Sequence, residues 1–309
     1  MNPLSLFIIG LTLSIVFLYC FIKFSDELIL DYPSKRSSHN KPILSSGGIS
    51  FVLISTVYGF LNSNYVFLKC FPLAIIGLLD DKFKLPSSIR FLVQAVTICV
   101  LFSSSNIFFY ILNSKNLYYL LILIFILGGI AIINFINFMD GLDGLVAGCM
   151  IVIFLFVSLK TNTNLYILIG SLIGFIFYNW SPAKIFMGDA GSTFLGGVYA
   201  ALIFKSGNIL ELSNIIIPSS PLLLDSITCL LRRLFRRQNI FSAHKLHLYQ
   251  RLHQSGWSHR KVSFMYILVT LIISLSQIFF NLYITTILIS CVFIYGIYLD
   301  KFEAIKFDL

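Results

Sequence analysis

Charge is what this 309-residue sequence has least of: Asp, Glu, Lys and Arg together make up 11%, against 58% hydrophobic residues. With a mean hydropathy of +0.91, that scarcity excludes a soluble globular domain and makes lipid the solvent for most of the chain. The period-two alternation of a membrane barrel is missing as well. Runs such as Leu117 to Ile133 are apolar on every side, which suits a lipid-embedded helix and not a barrel strand. Cysteine is sparse and unclustered. Cys20, Cys70, Cys99, Cys149, Cys229 and Cys291 lie within or beside apolar segments with no metal-type spacing, and read as lipid- or core-facing bystanders. The first apolar stretch, Leu4 to Cys20, is followed by no small-residue cleavage site and by many further stretches, so it is expected to be a span and not a leader.

What is present is a succession of apolar stretches from Leu4 to Leu299, each near the roughly 20 residues needed to cross a bilayer. The expectation is an all-α, polytopic transmembrane bundle forming a single domain over residues 1–309. About eleven spans fit, over 3–24, 46–62, 64–79, 88–105, 117–137, 144–160, 164–179, 191–206, 213–231, 262–281 and 283–299.

Basic residues then set the orientation. With the N-terminus periplasmic, the cytoplasmic loops hold Lys35, Arg36, Lys41, Lys82, Lys84, Lys184, Arg232, Arg233, Arg236, Arg237, Lys245, Arg251, Arg260 and Lys261. The opposite loops hold only Lys115, Lys160 and Lys205, so the positive-inside rule favours a bacterial inner-membrane protein with a cytoplasmic C-terminus. The formal charge of +9 concentrated on one face serves topology, anionic lipid or an anionic substrate.

Thirteen residues are acidic, and Asp80, Asp81, Asp140, Asp143 and Asp189 all fall at span ends on that same face, from three different loops. An isolated acid at a helix end is more often a solvated boundary residue. Paired acids beside glycines in three loops are harder to explain so. In the segment Gly77 to Pro86, adjacent Asp80 and Asp81 point in different directions and suit holding a cation or taking a proton, with repulsion raising one pKa; the plain alternative is a helix-ending cluster neutralised by Lys82 and Lys84. In the segment Asn134 to Leu145, two Asp-Gly steps make a tight turn, and Asp140 and Asp143 share a face if a helix begins there. Free backbone donors at such a helix start suit phosphate. In the segment Asn179 to Ser192, Asp189 is flanked by small residues before an apolar helix, so backbone and carboxylate can approach a metal-bound diphosphate. Oxygen donors of this kind suit magnesium. Phe186 offers a stacking surface for a base, although a lone aromatic is more often packing.

The longest loop carries His244, His247, Arg251, His253 and His259. Zinc on His244 and His247 is allowed by their spacing, but no cysteine is near them in sequence and the surrounding basic residues disfavour a cation. Phosphate contacts fit better. The alternative is an amphipathic helix on anionic headgroups.

Together these segments resemble the polyprenyl-phosphate N-acetylhexosamine-1-phosphate transferases, glycosyl transferase family 4. The matching stretches run in family order: Asp31-Tyr32-Pro33 with Arg36, Ser37, Ser38, His39 and Gly47-Gly48, then Asp80-Asp81, Asn134 to Leu145, Asn179 to Ser192 and the histidine loop. The resemblance implies attack of a polyprenyl phosphate on the β-phosphate of a UDP-sugar, with release of UMP. It assigns magnesium, with manganese as a substitute, to Asp189 and Asn134. Asp80 and Asp81 match the acid pair at the lipid phosphate, and His244 or His247 would touch the diphosphate or sugar. Lys84 and Arg90 would hold phosphates, Asn137, Asp140 and Asp143 would lie near the nucleotide, and Asn179, Phe186 and Arg251 match substrate positions. The active site is thus expected from loops 25–45, 80–90, 138–143, 180–190 and 232–261. A UDP-N-acetylhexosamine, undecaprenyl phosphate and membrane lipid are the implied partners; no nucleic acid is expected, and a homodimer is allowed.

The peptidoglycan members carry consecutive histidines followed by Phe-Glu. Here the segment from His244 reads His-Lys-Leu-His-Leu-Tyr-Gln-Arg-Leu, which is more like the O-antigen-initiating members. A secondary transporter of an anionic metabolite is the rival from another class, but such proteins place ionisable groups near the midplane, often within internal repeats. Only Asp225 sits so here, and no repeat is visible.

Overall fold

The computed structural model describes residues 2–24, 30–31, 42–112, 118–239, 242, 244–280 and 282–307. Each expected span is matched by a helix. In chain order these are α1 (Pro3–Phe24), α2 (Ile49–Leu61), α3 (Tyr65–Phe83), α4 (Ser87–Ser103), α5 (Asn106–Leu112), α6 (Tyr118–Phe138), α7 (Leu145–Thr161), α8 (Tyr166–Asn179), α9 (Gly188–Phe204), α10 (Ile209–Ile216), α11 (Ser220–Phe235), α12 (Leu248–Gln254), α13 (His259–Phe279) and α14 (Leu282–Phe302). Two of these, α5 and α12, fall outside the expected spans, and the span expected over 213–231 is divided between α10 and α11 by a 3₁₀ turn at Ile217–Ser219.

The helices at the eleven expected spans differ in length and apolarity. Among the described residues, five runs are long and apolar enough to cross a bilayer: α1, α6, the run Ile209–Phe235, α13 and α14. The α4–α5 pair, bent by 73°, makes a sixth if taken as one span. Helices such as α2, α7 and α8, of 13, 17 and 14 residues, reach only about 20–26 Å at 1.5 Å per residue, short of the ~30 Å hydrocarbon core. Hydropathy windows cannot distinguish such helices from full spans, because both are apolar all round.

The helices divide into centre and periphery. On α9 every residue from Ala190 to Phe204 is buried, the signature of a helix enclosed by others. It packs against α3 and α6, while α1 packs on α8 and α13 on α7. By contrast α14 buries only Thr285 and Leu299, leaving its apolar surface for lipid.

The α3–α9 approach positions the acids. A Cβ on Gly77 would come within 2.4 Å of the Ala190 amide nitrogen, so only glycine lets the end of α3 meet the start of α9 this closely. Two short strands, β1 (Leu30–Asp31) and β2 (Ile43–Leu44), pair antiparallel with Leu30 opposite Leu44. The chain after β2 then runs along 185–187: Phe186 N–H donates to Leu44 O (2.8 Å), Gly47 N–H to Phe186 O (2.8 Å) and Gly48 N–H to Met187 O (2.9 Å). Residues 32–41, including Tyr32, Pro33, Arg36 and His39 of the first matching stretch, lie outside the described residues.

Candidate active site

Four carboxylates converge where α3 ends, α6 ends and α9 begins. Asp81 Oδ1 accepts from the Asp189 backbone N–H (3.0 Å), and Asp81 Oδ2 accepts from Ser46 Oγ (2.6 Å). The first of these places a carboxylate on the N-terminus of α9, where unsatisfied N–H groups favour negative charge. Gly188 makes it possible: its φ is +73°, and a Cβ there would stand 2.4 Å from Asp81 Oδ2.

Asp80 is held from two sides, by the Leu85 N–H on Oδ1 (2.7 Å) and by Arg90 Nη1 on Oδ2 (2.7 Å). The same guanidinium reaches Asp189 Oδ2 at 3.5 Å, so one arginine bridges two acids. Asp189 Oδ1 accepts from Asn137 Nδ2 (2.9 Å), which also reaches Ser192 Oγ (2.9 Å).

Asp140 follows the end of α6. Its burial, and then the charges of Asp189, Asp81 and Asp143, push its carboxyl up to about 8. A group so shifted is the expected consequence of crowding acids beside a single arginine in a low-dielectric site.

The remaining residues singled out in the sequence lie elsewhere. Asn134, one turn before Asn137, bonds Gln94 Oε1 (2.9 Å) and Ile130 O (2.8 Å), and no described contact joins it to Asp189. Lys84 caps α3 in a left-handed conformation, φ 50°, and is exposed. Asn179 is a splint, accepting from Gly144 N–H (2.9 Å) and donating to Ile185 O (2.9 Å). Phe186 is half-buried in the strand-like segment beside β2.

Asp143 forms a separate pair. Its Oδ1 is 3.1 Å from His259 Nδ1 and its Oδ2 accepts from Ala183 N–H (3.2 Å). Burial pulls this carboxyl upward, but the His259 hydrogen bond and charge, with the Ala183 and Ser181 bonds, hold it below the usual range. His259 Nε2 in turn lies 3.3 Å from His253 Nε2.

The histidine loop is built into the fold. His247, 2% exposed, lies with Nδ1 3.5 Å from Asp225 Oδ1. Asp225 also accepts from Leu248 N–H (2.8 Å), Tyr249 N–H (3.1 Å) and Tyr266 Oη (2.6 Å). His244 stacks on His247 with ring centres 5.1 Å apart. Burial, then the neighbouring His247 and Arg233, lowers His244 to about 4. Arg251, 2% exposed, bonds Asp300, Leu246 O (3.1 Å) and Ile305 O (2.9 Å). No described contact carries His244, His247 or Arg251 to the carboxylate cluster.

The absence of a cysteine near these histidines holds only along the chain. In space Cys229 of α11 joins them: its sulfur and one ring nitrogen of each of His244 and His247 lie within 4.8 Å of one another. This plausible metal-coordinating cluster was invisible in the sequence, as was the grip of Ser46 on Asp81. The only signal for Ser46 was its place beside Gly47-Gly48.

Fold and site together define a class, the polytopic helical membrane proteins with an acidic cluster at the ends of their helices. The sequence pattern of glycosyl transferase family 4 matches residues 63–207. The chain is 30% identical over 273 residues to the "Probable undecaprenyl-phosphate N-acetylglucosaminyl 1-phosphate transferase" of Bacillus subtilis (strain 168), covering 81% of this chain and 76% of that one. It is 30% identical over 257 residues to the phospho-N-acetylmuramoyl-pentapeptide-transferase of Dictyoglomus turgidum, covering 75% and 81%. To the undecaprenyl-phosphate alpha-N-acetylglucosaminyl 1-phosphate transferase of Thermotoga maritima it is 32% identical over 182 residues, 58% of each chain. The chain belongs to glycosyl transferase family 4, as a polyprenyl-phosphate sugar-1-phosphate transferase.

Proposed function

We propose that the protein transfers an N-acetylhexosamine-1-phosphate group from a UDP-sugar to undecaprenyl phosphate and so initiates O-antigen or a related envelope glycan. In the reaction an acceptor phosphate oxygen forms a bond to the β-phosphorus of the donor, the diphosphate bridge breaks, and UMP leaves. Both reactants are anions, so alignment and charge neutralisation matter more than covalent catalysis.

The observation that carries this reading is the gathering of Asp80, Asp81, Asp140 and Asp189, the first and last bridged by Arg90. Even with Asp140 protonated near neutral pH, the remaining acids beside a single arginine would disfavour two anionic substrates unless a cation were bound, and hard carboxylate oxygens suit magnesium. In this reading Asp189 is the leading ligand, with Asp80 and Asp81 beside it. Bound there, the cation would neutralise phosphate oxygens and draw charge from the departing UMP. Asn137 fixes the Asp189 carboxylate through Nδ2, and Ser46 fixes Asp81. Arg90 and exposed Lys84 then meet phosphate oxygens, while Phe186 and the Asn179 splint border the nucleotide. A phosphate monoester has a second pKa of about 6, so the acceptor is already nucleophilic at neutral pH and no strong general base is needed. The site faces the cytoplasm, where the basic loops belong.

For the donor, the N-acetylglucosaminyl names of two relatives and Tyr249-Gln250 in place of consecutive histidines support an N-acetylhexosamine over a muramoyl-pentapeptide. Purified protein, magnesium, undecaprenyl phosphate and a panel of UDP-N-acetylhexosamines should release UMP, and mass spectrometry of the lipid product identifies the sugar. Folded protein that releases UMP only with the UDP-muramoyl-pentapeptide would overturn the donor assignment; no release with any donor would overturn the whole reading.

A further inference from the structure

We propose that Cys229, His244 and His247 form a binding site for a soft divalent cation of the zinc class, separate from the carboxylate cluster, which clamps the histidine loop onto α11. The proposal is independent of the transferase reading.

The donor set carries it first. One thiol and two imidazoles, with ligand atoms within 4.8 Å of one another, are the groups that select zinc over magnesium, which takes oxygen. Three protein ligands and one further position are a common arrangement around this metal.

The surroundings support it independently. Nδ1 of His247 is buried without a hydrogen-bond partner and faces Asp225 at 3.5 Å, an unsatisfied nitrogen beside a carboxylate that a cation would satisfy. Asp225 is itself fixed by two backbone N–H groups and by Tyr266. Cys229 and His247 are 3% and 2% exposed, so bulk water competes poorly. A thiolate and the Asp225 carboxylate together balance a charge of two.

The basic neighbours differ. Arg251 is charge-paired with Asp300, whereas Arg233 is held by neutral acceptors, Asn239 O, Ser242 O and Ser242 Oγ, so its charge opposes a cation and also favours the Cys229 thiolate. A cavity of about 310 Å³ lined by Asp225, Cys229, Leu246, Arg251 and Tyr266 adjoins the cluster and gives a further ligand, water included, an approach.

A cation here would have a structural purpose. It would join α11 to the residues entering α12, and α12 supports the acidic loop: Tyr249 Oη donates to Phe138 O at 2.8 Å, two residues before Asp140. A Cβ on Gly141 would meet the same hydroxyl at 2.3 Å.

The test uses full-length protein in detergent with any histidine tag removed, stripped of metal and reloaded with zinc or cobalt alone. The expected result is one zinc per chain retained through dialysis, a thiolate-to-cobalt charge-transfer band in the near ultraviolet, and a rise in melting temperature with zinc but not with magnesium. Cys229→Ser should abolish the band, and His244→Ala, at a half-exposed position, should weaken zinc at least about tenfold with unchanged circular dichroism. Cys291→Ser, at an exposed position on α14, should leave all three readouts intact. Wild-type protein that is folded yet loses zinc on dialysis overturns the proposal. So does a cobalt spectrum that survives Cys229→Ser, or, where that variant misfolds, zinc affinity unaltered in His244→Ala.

Discussion

The two polar regions of this molecule handle acids in opposite ways. Around α3, α6 and α9, four carboxylates gather with one arginine, which pairs with Asp80 and Asp189 alone, and Asp140 is pushed up to about 8. Around α11 to α14, three acids each face a base: Asp143 has His259, Asp225 has His247, and Asp300 has Arg232 and Arg251. A fold that wanted only stability would pair its acids, as the second region does. The first tolerates repulsion, which suits a site completed by a cation and substrates. Substitutions should therefore remove activity in the first region and stability in the second.

The sharpest break is Asp189→Ala. It should lower kcat by on the order of 10³-fold or more with an unchanged melting temperature, measured as magnesium-dependent UMP release. Glu211→Ala, an exposed acid that caps α10 through Gly207 N–H, should leave turnover untouched. Equal losses in the two variants would remove the distinction.

Asp225→Asn tests the opposite region. It removes the charge facing His247 from a buried site with four partners, at a cost of about 3 kcal/mol, seen as a lower melting temperature. Turnover per folded molecule should stay within about twofold. The same variant separates the transporter alternative, since a carboxylate so fully engaged by backbone and Tyr266 has no capacity left for a transported ion; loss of anion uptake into proteoliposomes would reverse that.

Much of this arrangement was legible in the sequence. Helices occupy every expected span, the one over 213–231 being broken at Ile217–Ser219, because apolar runs permit little else, and Asp80, Asp81, Asp140 and Asp189 were marked by their glycines and helix ends. Burial was not legible, since α7, α8 and α9 are largely enclosed by other helices, and enclosed and lipid-facing helices are alike apolar. Partner choice was not legible either. Asn134 and Asn137 are equivalent in sequence, yet one turn of α6 gives the first to Gln94 and the second to Asp189. Cys229 and His244 are fifteen positions apart in a sequence that offers no metal spacing; only the return of the loop onto α11 joins them.

Asp140 separates the regions by pH. Its folded pKa of about 8 stands well above the ordinary carboxylate value near 4, so between those limits the folded state holds a proton that the unfolded state has lost. The stabilising contribution is therefore complete below about pH 4 and disappears as pH rises through 8, at a slope of up to roughly 1.4 kcal/mol per pH unit. Asp140→Asn, permanently neutral, should flatten that part of the melting-temperature profile recorded without divalent cations. Asp143, whose pKa is lowered by His259, contributes in the reverse direction, and Asp143→Asn should lose stability that the wild type shows at neutral pH and forfeits in acid. Parallel profiles for the two variants would mean that the acids are not divided as described.

The smallest effect expected is at Ser46, and it tests how the acidic cluster is held. Ser46 Oγ donates to Asp81 Oδ2 at 2.6 Å from a residue at φ 64°, and hydrogen bonds to charged groups contribute about 1.5–3 kcal/mol. If that bond only stabilises the fold, Ser46→Ala should lower the melting temperature and leave kcat alone. If it aims Asp81, whose other oxygen already binds the Asp189 N–H, kcat should fall about tenfold while the KM for the UDP-sugar holds. Ser46→Asn keeps a side-chain donor and tolerates the positive φ, and should recover part of the loss, an outcome that a purely structural role would not produce in kcat.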